Sequence, residues 1–348
     1  MVTQDDIARK LNISRTTVSR ALKGKNISDE TKMKVLEAAK SMGYIPNTVA
    51  TELASKSKKT VYVFTVVTID EGYAMHMIDG IREVNQLWRD FNFQIEIVLT
   101  DINKEGNQCR EQIKQFYEII EQNQVNGVIF SALSKENMEI VRQECEKRNI
   151  PLMTLDMIYF DDRLCHVGPD YYELGKYSAA YLSQLVMKKG EILTFSYDEG
   201  YEIGEQRMRG FLAKLAENPR IHVTNFELAE MKKENYWELL DRYLSKIKPA
   251  AIYSPYHAEY IAEYIETHGI DGDEYVLIAN GINENIEKYL FAGVINGIVS
   301  ARPYYLGAVA ANNFFKYFYR TNEMTRGRID VMVDIYIAEN YQRYDKLY

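Results

Sequence analysis

The stretch from Thr3 to Leu22 constrains this chain more than any other, because it reads as two short helices joined by a tight turn. Ile7, Ala8 and Leu11 fall on one face of the first helix, Ile13 points inward from the turn, and Val18, Ala21 and Leu22 recur at helical spacing in the second. Such a pair is a helix-turn-helix. Ala8 stands at the expected helix crossing, where a larger side chain would push the helices apart. Asn12 occupies the turn position that favours left-handed backbone, which Asn tolerates, and Ser14 is placed to cap the second helix. Arg15, Thr16, Thr17 and Arg20 remain on the outward face. Those side chains suit base edges and phosphates.

The net charge of -8 over 348 residues argues against a nucleic-acid partner if the chain is read whole. Residues 1–59, however, carry 12 Lys+Arg against 6 Asp+Glu, which leaves 30 against 44 for the remainder. A basic head on an acidic body holds the body away from a phosphate backbone. The length predicts two or three domains. Cys109, Cys145 and Cys165 show no metal-ligand spacing and read as reduced thiols of a cytoplasmic protein. His166, His222 and His268 are scattered, so neither a metal nor another cofactor is expected. Neither a signal peptide nor a run of 18 apolar residues is present, so export and membrane insertion are not expected.

A third helix is predicted from Ser28 to Gly43, with Val35, Leu36, Ala39 and Met42 as its apolar face. It completes a three-helix head over residues 1–46. Residues 47–59 follow as a hinge helix or linker whose strong apolar positions are Val49, Leu53 and Ala54, too few to hold a helix alone in water.

Three motifs now occur in order: Thr-x-x-Asp-Ile-Ala from Thr3, Ile-Ser-Arg-Thr-Thr-Val-Ser-Arg-Ala-Leu from Ile13, and Gly-Tyr-Ile-Pro-Asn from Gly43, followed by Ala50 and Leu53. Together they resemble the DNA-binding head and hinge of the lactose-repressor (LacI/GalR) family of bacterial regulators. The resemblance implies that Arg15 and Thr16 read major-groove bases and that Arg20 adds a base contact. It implies that Thr3, Ser14, Thr17, Ser19 and Asn47 hold phosphates, and that Leu53 is wedged into the minor groove. It further implies Ala50 and Lys56 as DNA contacts of the hinge. Thr51 departs from the pattern, since many members carry Arg there. Also implied are a homodimer on a near-palindromic operator and a small-molecule effector, with the Tyr content tilting toward a carbohydrate.

From Thr60 the chain alternates short apolar runs with amphipathic helices, the signature of βαβ units around parallel sheets. This fits the two-lobed, doubly wound type I periplasmic-binding-protein fold that the same family's effector domain resembles. The fold class is therefore α plus α/β, with an effector domain over 60–348. Lobe 1 is expected over about 60–160 and 293–322, and lobe 2 over about 161–292 and 323–348. The helix from Met75 to Phe91, with Met77, Ile81, Val84 and Trp88, and the flanking lobe are expected dimer surfaces.

Ligands of such sheets bind beyond the carboxyl ends of the strands, between lobes. That rule nominates Tyr73 and His76 after the first strand, Ser131 after the third, Asp156 after the fourth and Asn280 after a later core strand. Arg207 lies in Arg-Met-Arg-Gly-Phe, which looks like the family's Arg-x-x-Gly-aromatic signature, and Arg suits a bidentate clamp. Tyr256-His257 and Ala301-Arg302 stand where the family often has Asn-Asp and Gln-Asp. Plainer readings stay open: Leu53 as packing, Arg207 as a surface residue, and Tyr73, Asp156 and Asn280 as turn or core residues.

No Gly-x-Gly-x-x-Gly, phosphate-cradling Gly-x-x-x-x-Gly-Lys-Ser/Thr or Gly-x-Ser-x-Gly occurs. The expectation is a regulator and not an enzyme. A sugar-modifying enzyme and an architectural DNA-binding protein are the alternatives.

Overall fold

A computed structural model of the chain describes residues 4–22, 27–42, 58–67, 71–102, 104, 106–157, 164–197 and 202–341. Two compact units divide between Lys56 and Ser57. Thr3, Asn47, Ala50, Leu53 and Lys56, with most of the 47–59 hinge, lie outside the described residues.

The first unit contains α1 (Gln4–Leu11), α2 (Arg15–Leu22) and α3 (Asp29–Ser41). Asn12 takes φ 51° and the Ile13 N–H donates to the Ala8 carbonyl at 3.1 Å, which closes the tight turn. Ile7, Val18, Ala21 and Val35 are wholly buried. Leu36, expected on the apolar face of α3, is 41% exposed. The inward stripe runs through Val35, Ala38 and Ala39 at i, i+3, i+4, and Leu36 falls one step off it.

The second unit begins with β1 (Lys59–Val67), α4 (Glu71–Leu87), β2 (Phe93–Asp101), α5 (Gln108–Gln122), β3 (Gly127–Phe130), α6 (Lys135–Lys147), β4 (Leu152–Leu155) and β5 (Cys165–Gly168). It continues with α7 (Tyr171–Leu185), β6 (Gly190–Tyr197), α8 (Glu202–Leu215), β7 (Ile221–Leu228), α9 (Lys233–Leu244), β8 (Ala251–Tyr253), α10 (Ala258–Thr267), β9 (Val276–Ala279) and α11 (Glu284–Phe291). Then come β10 (Gly297–Ala301), α12 (Pro303–Tyr319), β11 (Gly327–Asp330) and β12 (Val333–Tyr336).

Two sheets repeat one plan. Lobe 1 has the order β11-β5-β4-β3-β1-β2 and lobe 2 the order β12-β10-β9-β8-β6-β7. Pairings are parallel except that β12 runs antiparallel to β10. Helices cover the sheets, so central strands such as Val128–Phe130 read as unbroken apolar runs. Each lobe also owns a tightly crossed helix pair. An ideal Cβ on Gly80 would lie 2.0 Å from the Tyr304 carbonyl oxygen, and one on Gly307 would lie 2.0 Å from that of Met77, so only glycine lets α4 and α12 meet. Gly175 and Gly210 play the same part between α7 and α8.

Sheet membership corrects the expected lobe boundaries. β5 belongs to lobe 1, which therefore runs to Gly168 and not to 160; β10 belongs to lobe 2, which runs on to Ala301 and not to 292. α12 and β11 then return to lobe 1 through Asp330, well past 322, before β12 completes lobe 2. The chain thus passes between lobes three times, at 168–171, 301–303 and 330–333. A second correction concerns Met77, Ile81 and Val84. They are 2%, 0% and 7% exposed because they pack in the lobe 1 core against Leu306 and Ala310, and Trp88 stacks on Phe315 with ring centroids 3.8 Å apart. They form the lobe's interior, not a surface for a second copy.

Candidate functional site

On the head, Val18 and Ala21 anchor α2 and leave Arg15, Thr16 and Arg20 exposed. The Ser14 Oγ accepts the Thr17 N–H at 3.0 Å and lies 2.8 Å from the Thr17 Oγ1, so the cap also orients Thr17. Ser19 is half-buried. The Arg15 Nη1 sits 3.6 Å from the Asp5 Oδ2, with both side chains more than half exposed. A pair so solvated is weak and gives way readily to a phosphate or a base edge.

The second site lies where the lobes face each other. Asp156 leaves β4 with φ 70°, a left-handed conformation uncommon outside glycine. Its Oδ1 accepts two hydroxyls, from Tyr73 at 3.0 Å and from Tyr171 at 2.5 Å. Tyr73 comes from α4 of lobe 1, while Tyr171 opens α7 of lobe 2. Arg207, on α8, is only 5% exposed. Its Nη1 donates to the Pro255 carbonyl at 2.8 Å, and its guanidinium lies 5.1 Å from the Tyr171 ring and 5.4 Å from that of Tyr256. A cation between aromatic faces is attracted by both. Tyr73, Asp156, Tyr171, Arg207 and Tyr256 therefore form one continuous chain of contacts across the lobes.

Electrostatics follow from enclosure. Burial lifts the Asp156 carboxyl above the ordinary carboxylate range, against the hydroxyls of Tyr171 and Tyr73 and the nearby Arg207 cation, which favour the ionised form. Burial first, and the Asp156 charge second, push both phenols well up, so the two tyrosines remain donors. Beside the cluster lies a cavity of about 540 Å³ lined by Ser131, Lys135, Asp156, Gln206, Arg209 and Tyr256 among others. That volume is in the range of small-ligand sites. Ser131 is fixed through its backbone, its N–H donating to the Phe64 carbonyl at 2.8 Å and its carbonyl accepting the Gln112 amide at 2.9 Å.

One nominated position, Asn280, and one departure from the family's pattern, Arg302, are committed elsewhere. Asn280 is 2% exposed; its Nδ2 donates to the Ser178 Oγ at 2.8 Å and the Val299 carbonyl at 2.9 Å, and its Oδ1 accepts the Tyr253 hydroxyl at 2.5 Å. The amide is spent inside lobe 2, so Asn280 is a core hydrogen-bond node and not a cleft contact. Arg302 precedes α12 at the second crossing and makes a bidentate pair with Asp334, the Nη2–Oδ1 distance being 3.1 Å. His76 and His257 line a different cavity, which shares no residue with the first. Tyr171, Lys135, Gln206 and Arg209 escape the sequence reading. Gln206 and Arg209 flank Arg207 closely enough that the Arg-x-x-Gly signature could have found them, whereas nothing marks Tyr171.

Among the described residues no three His, Cys, Asp or Glu side chains converge as metal ligands, and no helix is long and apolar enough to cross a membrane.

A helix-turn-helix head followed by a two-lobed, cleft-bearing α/β domain defines a class of regulator architecture. Residues 62–318 match the periplasmic binding protein domain, and residues 3–47 match the bacterial regulatory proteins of the lacI family. The chain belongs to the periplasmic binding protein domain family and carries the head of the lacI family of bacterial regulatory proteins. It is similar to the "Probable HTH-type transcriptional repressor ExuR" of Bacillus subtilis, with 28% identity over 63% of this chain and 61% of that one. It is also similar to catabolite control protein A of Staphylococcus epidermidis, with 27% identity over 56% of each. The aligned region thus spans less than two thirds of either relative. In fold it is similar to the sugar-binding protein of a sugar ABC transporter from Bacillus halodurans, with a TM-score of 0.72 and 17% identity over 82% of this chain and 100% of that one.

Proposed function

We propose that this chain is a sequence-specific DNA-binding transcriptional repressor whose hold on its operator is switched by a small polyhydroxylated effector, a sugar or sugar derivative, bound between the lobes. The observation that carries this reading is the Tyr73–Asp156–Tyr171–Arg207–Tyr256 chain of contacts, which spans both lobes beside a ligand-sized cavity. A ligand there touches both lobes at once and favours whichever arrangement gives it more contacts. The relatives named as a repressor and as catabolite control protein A, and the neighbour named sugar-binding protein, support the output and the ligand class respectively.

On the DNA side, Arg15, Thr16 and Arg20 select bases, while Ser14, Thr17 and Ser19, with Thr3 and Asn47, hold phosphates. Two copies related by a two-fold axis read a near-palindrome, and Leu53, flanked by Ala50 and Lys56, wedges the minor groove at its centre. An effector preference of a few kcal/mol between lobe arrangements suffices to change occupancy.

The test begins with binding sites selected from random duplex DNA, then measures fluorescence anisotropy on the winner with and without sugars that raise the melting temperature. A near-palindromic consensus whose affinity shifts with one sugar class is expected. Binding without sequence preference would sink the reading.

A further inference from the structure

The turn at 254–257, between β8 and α10 of lobe 2, holds two parts of the proposed effector site at once. The Pro255 carbonyl accepts the Arg207 Nη1 at 2.8 Å, and the Tyr256 ring, which lines the cavity, lies 5.4 Å from the same guanidinium. An ideal Cβ on Gly204 would stand 2.7 Å from the Tyr256 Cε2, so the ring is seated directly on α8. The turn ends at His257, held at φ 54°. Two consecutive residues therefore set where the cation and one of its flanking rings stand.

Both are anchored from behind. The Ser254 Oγ lies 2.9 Å from the Tyr197 hydroxyl and 3.1 Å from that of Tyr236, and the two tyrosine hydroxyls are hydrogen-bonded to each other. On the other side of Pro255, the Tyr256 carbonyl accepts from Tyr236 at 3.3 Å and from Tyr197 at 3.5 Å. The Tyr197 and Tyr256 rings also touch, with centroids 5.6 Å apart. Tyr236, on α9, is wholly buried, Tyr197 ends β6 at 9% exposure, and neither lines the cavity. Burial pushes both phenols up, so both remain protonated donors. Three hydroxyls thus converge on one carbonyl in a buried network, where removing one member leaves its partners short of a bond.

We propose that Tyr236 and Tyr197 are positioning residues of the effector site: without touching the ligand, their hydroxyls clamp Ser254 and the Tyr256 carbonyl on either side of Pro255, and so fix Arg207 and the Tyr256 ring for recognition. This role rests on the effector binding proposed above. A turn set in advance spares the ligand the cost of ordering it. Loosening the clamp therefore weakens the ligand.

Isothermal titration of the full chain tests this with D-glucose, D-galactose, D-ribose and L-arabinose, the tightest of the four serving as probe. Tyr236→Phe keeps the ring and is expected to weaken the probe at least about fivefold. Tyr264→Phe is the matched control, since it also deletes a hydroxyl of an enclosed lobe 2 tyrosine, one bonded to Asp241 and not to the turn, and it should stay within about twofold. Tyr236→Phe combined with Tyr256→Ala should cost clearly less than the product of the two separate losses, because the clamp acts through the residue already truncated. Should Tyr236→Phe melt abnormally, Ser254→Ala removes the other end of the clamp, with a loss of similar size expected. Unchanged affinity in well-folded Tyr236→Phe and Ser254→Ala proteins, an equal loss in Tyr264→Phe, or losses that simply multiply overturn the role. A probe that binds wild type and Tyr236→Phe alike and still shifts operator binding overturns the clamp and leaves the regulator standing. No binding of any of the four sugars up to about 10 mM overturns the ligand class and the clamp together.

Discussion

The backbone of Arg207 is held by Gly175: an ideal Cβ on Gly175 would lie 1.9 Å from the Arg207 carbonyl oxygen. The contact brings α7 and α8 close enough for the Tyr171 ring and the Arg207 guanidinium to lie 5.1 Å apart. The reciprocal contact, from Gly210 to the Tyr172 carbonyl oxygen, is equally close. The close helix packing and the Tyr171–Arg207 contact are therefore one geometry in lobe 2.

Gly175→Ala is expected to destabilise the second unit by about 1–3 kcal/mol, the usual cost of forcing atoms into a filled interior, and to blunt the response to effector. Gly272→Ala, where the new Cβ meets nothing nearer than 3.7 Å, is the control and should stay within about 0.5 kcal/mol. Urea denaturation of the three proteins checks both values.

Arg207→Ala should raise the effector concentration needed for half-response at least about tenfold, equivalent to about 1.4 kcal/mol. Operator affinity without effector should move less than about twofold, because Arg207 lies in the second unit. Arg207→Lys should resemble the alanine variant more than wild type, since a point charge does not reproduce a planar cation laid between two rings. Operator anisotropy titrated with effector separates these outcomes, and an unaltered dose curve would remove Arg207 from the site.

Asp156 has a raised carboxyl pKa, so the folded chain keeps this proton to higher pH than the unfolded chain, whose ordinary value is about 3.8. The stability of the wild type therefore falls as pH climbs from that ordinary value through the raised one, and stays lower above it. Asp156→Asn keeps an acceptor oxygen for Tyr73 and Tyr171 but cannot ionise. Its stability relative to wild type should rise across that window and then level off. Denaturation curves collected stepwise from pH 4 to 8 reveal this, and a flat difference would show that enclosure imposes no net penalty on the charge.

What the sequence discloses about these sites divides by the range of the contact. Ser14 and Asn12 act within three residues of themselves, so their cap and turn are legible from residue type alone. The Arg-x-x-Gly spacing exposes Arg207 because Gly210 lies on the same helix. Tyr171 is one of 27 tyrosines, and its partner Asp156 lies just past a strand of the other lobe. Asn280 holds a position after a strand that suits a ligand, but Ser178 on α7 claims its amide first. The lobe boundaries slipped because β5 is the four-residue run Cys-His-Val-Gly, too short to display a period.

Thiol reactivity gives a further check on the cores. Burial pushes the Cys145 thiol up to about 12, and Cys165 is wholly enclosed, while Cys109 is half-buried. Iodoacetamide at mildly alkaline pH should modify the native chain at Cys109 and should reach all three cysteines only in urea. Peptide mass mapping reads the result directly.

Leu53→Ala should lower specific operator affinity by at least about a hundredfold if the leucine kinks the duplex, equivalent to about 2.8 kcal/mol. Effector affinity, measured without DNA, should be unchanged. Equal operator binding by both proteins would assign Leu53 to packing.

β11 forms one edge of the lobe 1 sheet and β12 one edge of the lobe 2 sheet, and both come from residues 327–336. Synthesis proceeds from the N-terminus, so the three-helix reader leaves the ribosome nearly three hundred residues before either lobe possesses all its strands. A nascent chain consequently carries a complete three-helix head long before it has two complete lobes. A nonsense codon near position 325 would therefore strip an edge strand from both lobes at once and leave the three-helix head whole.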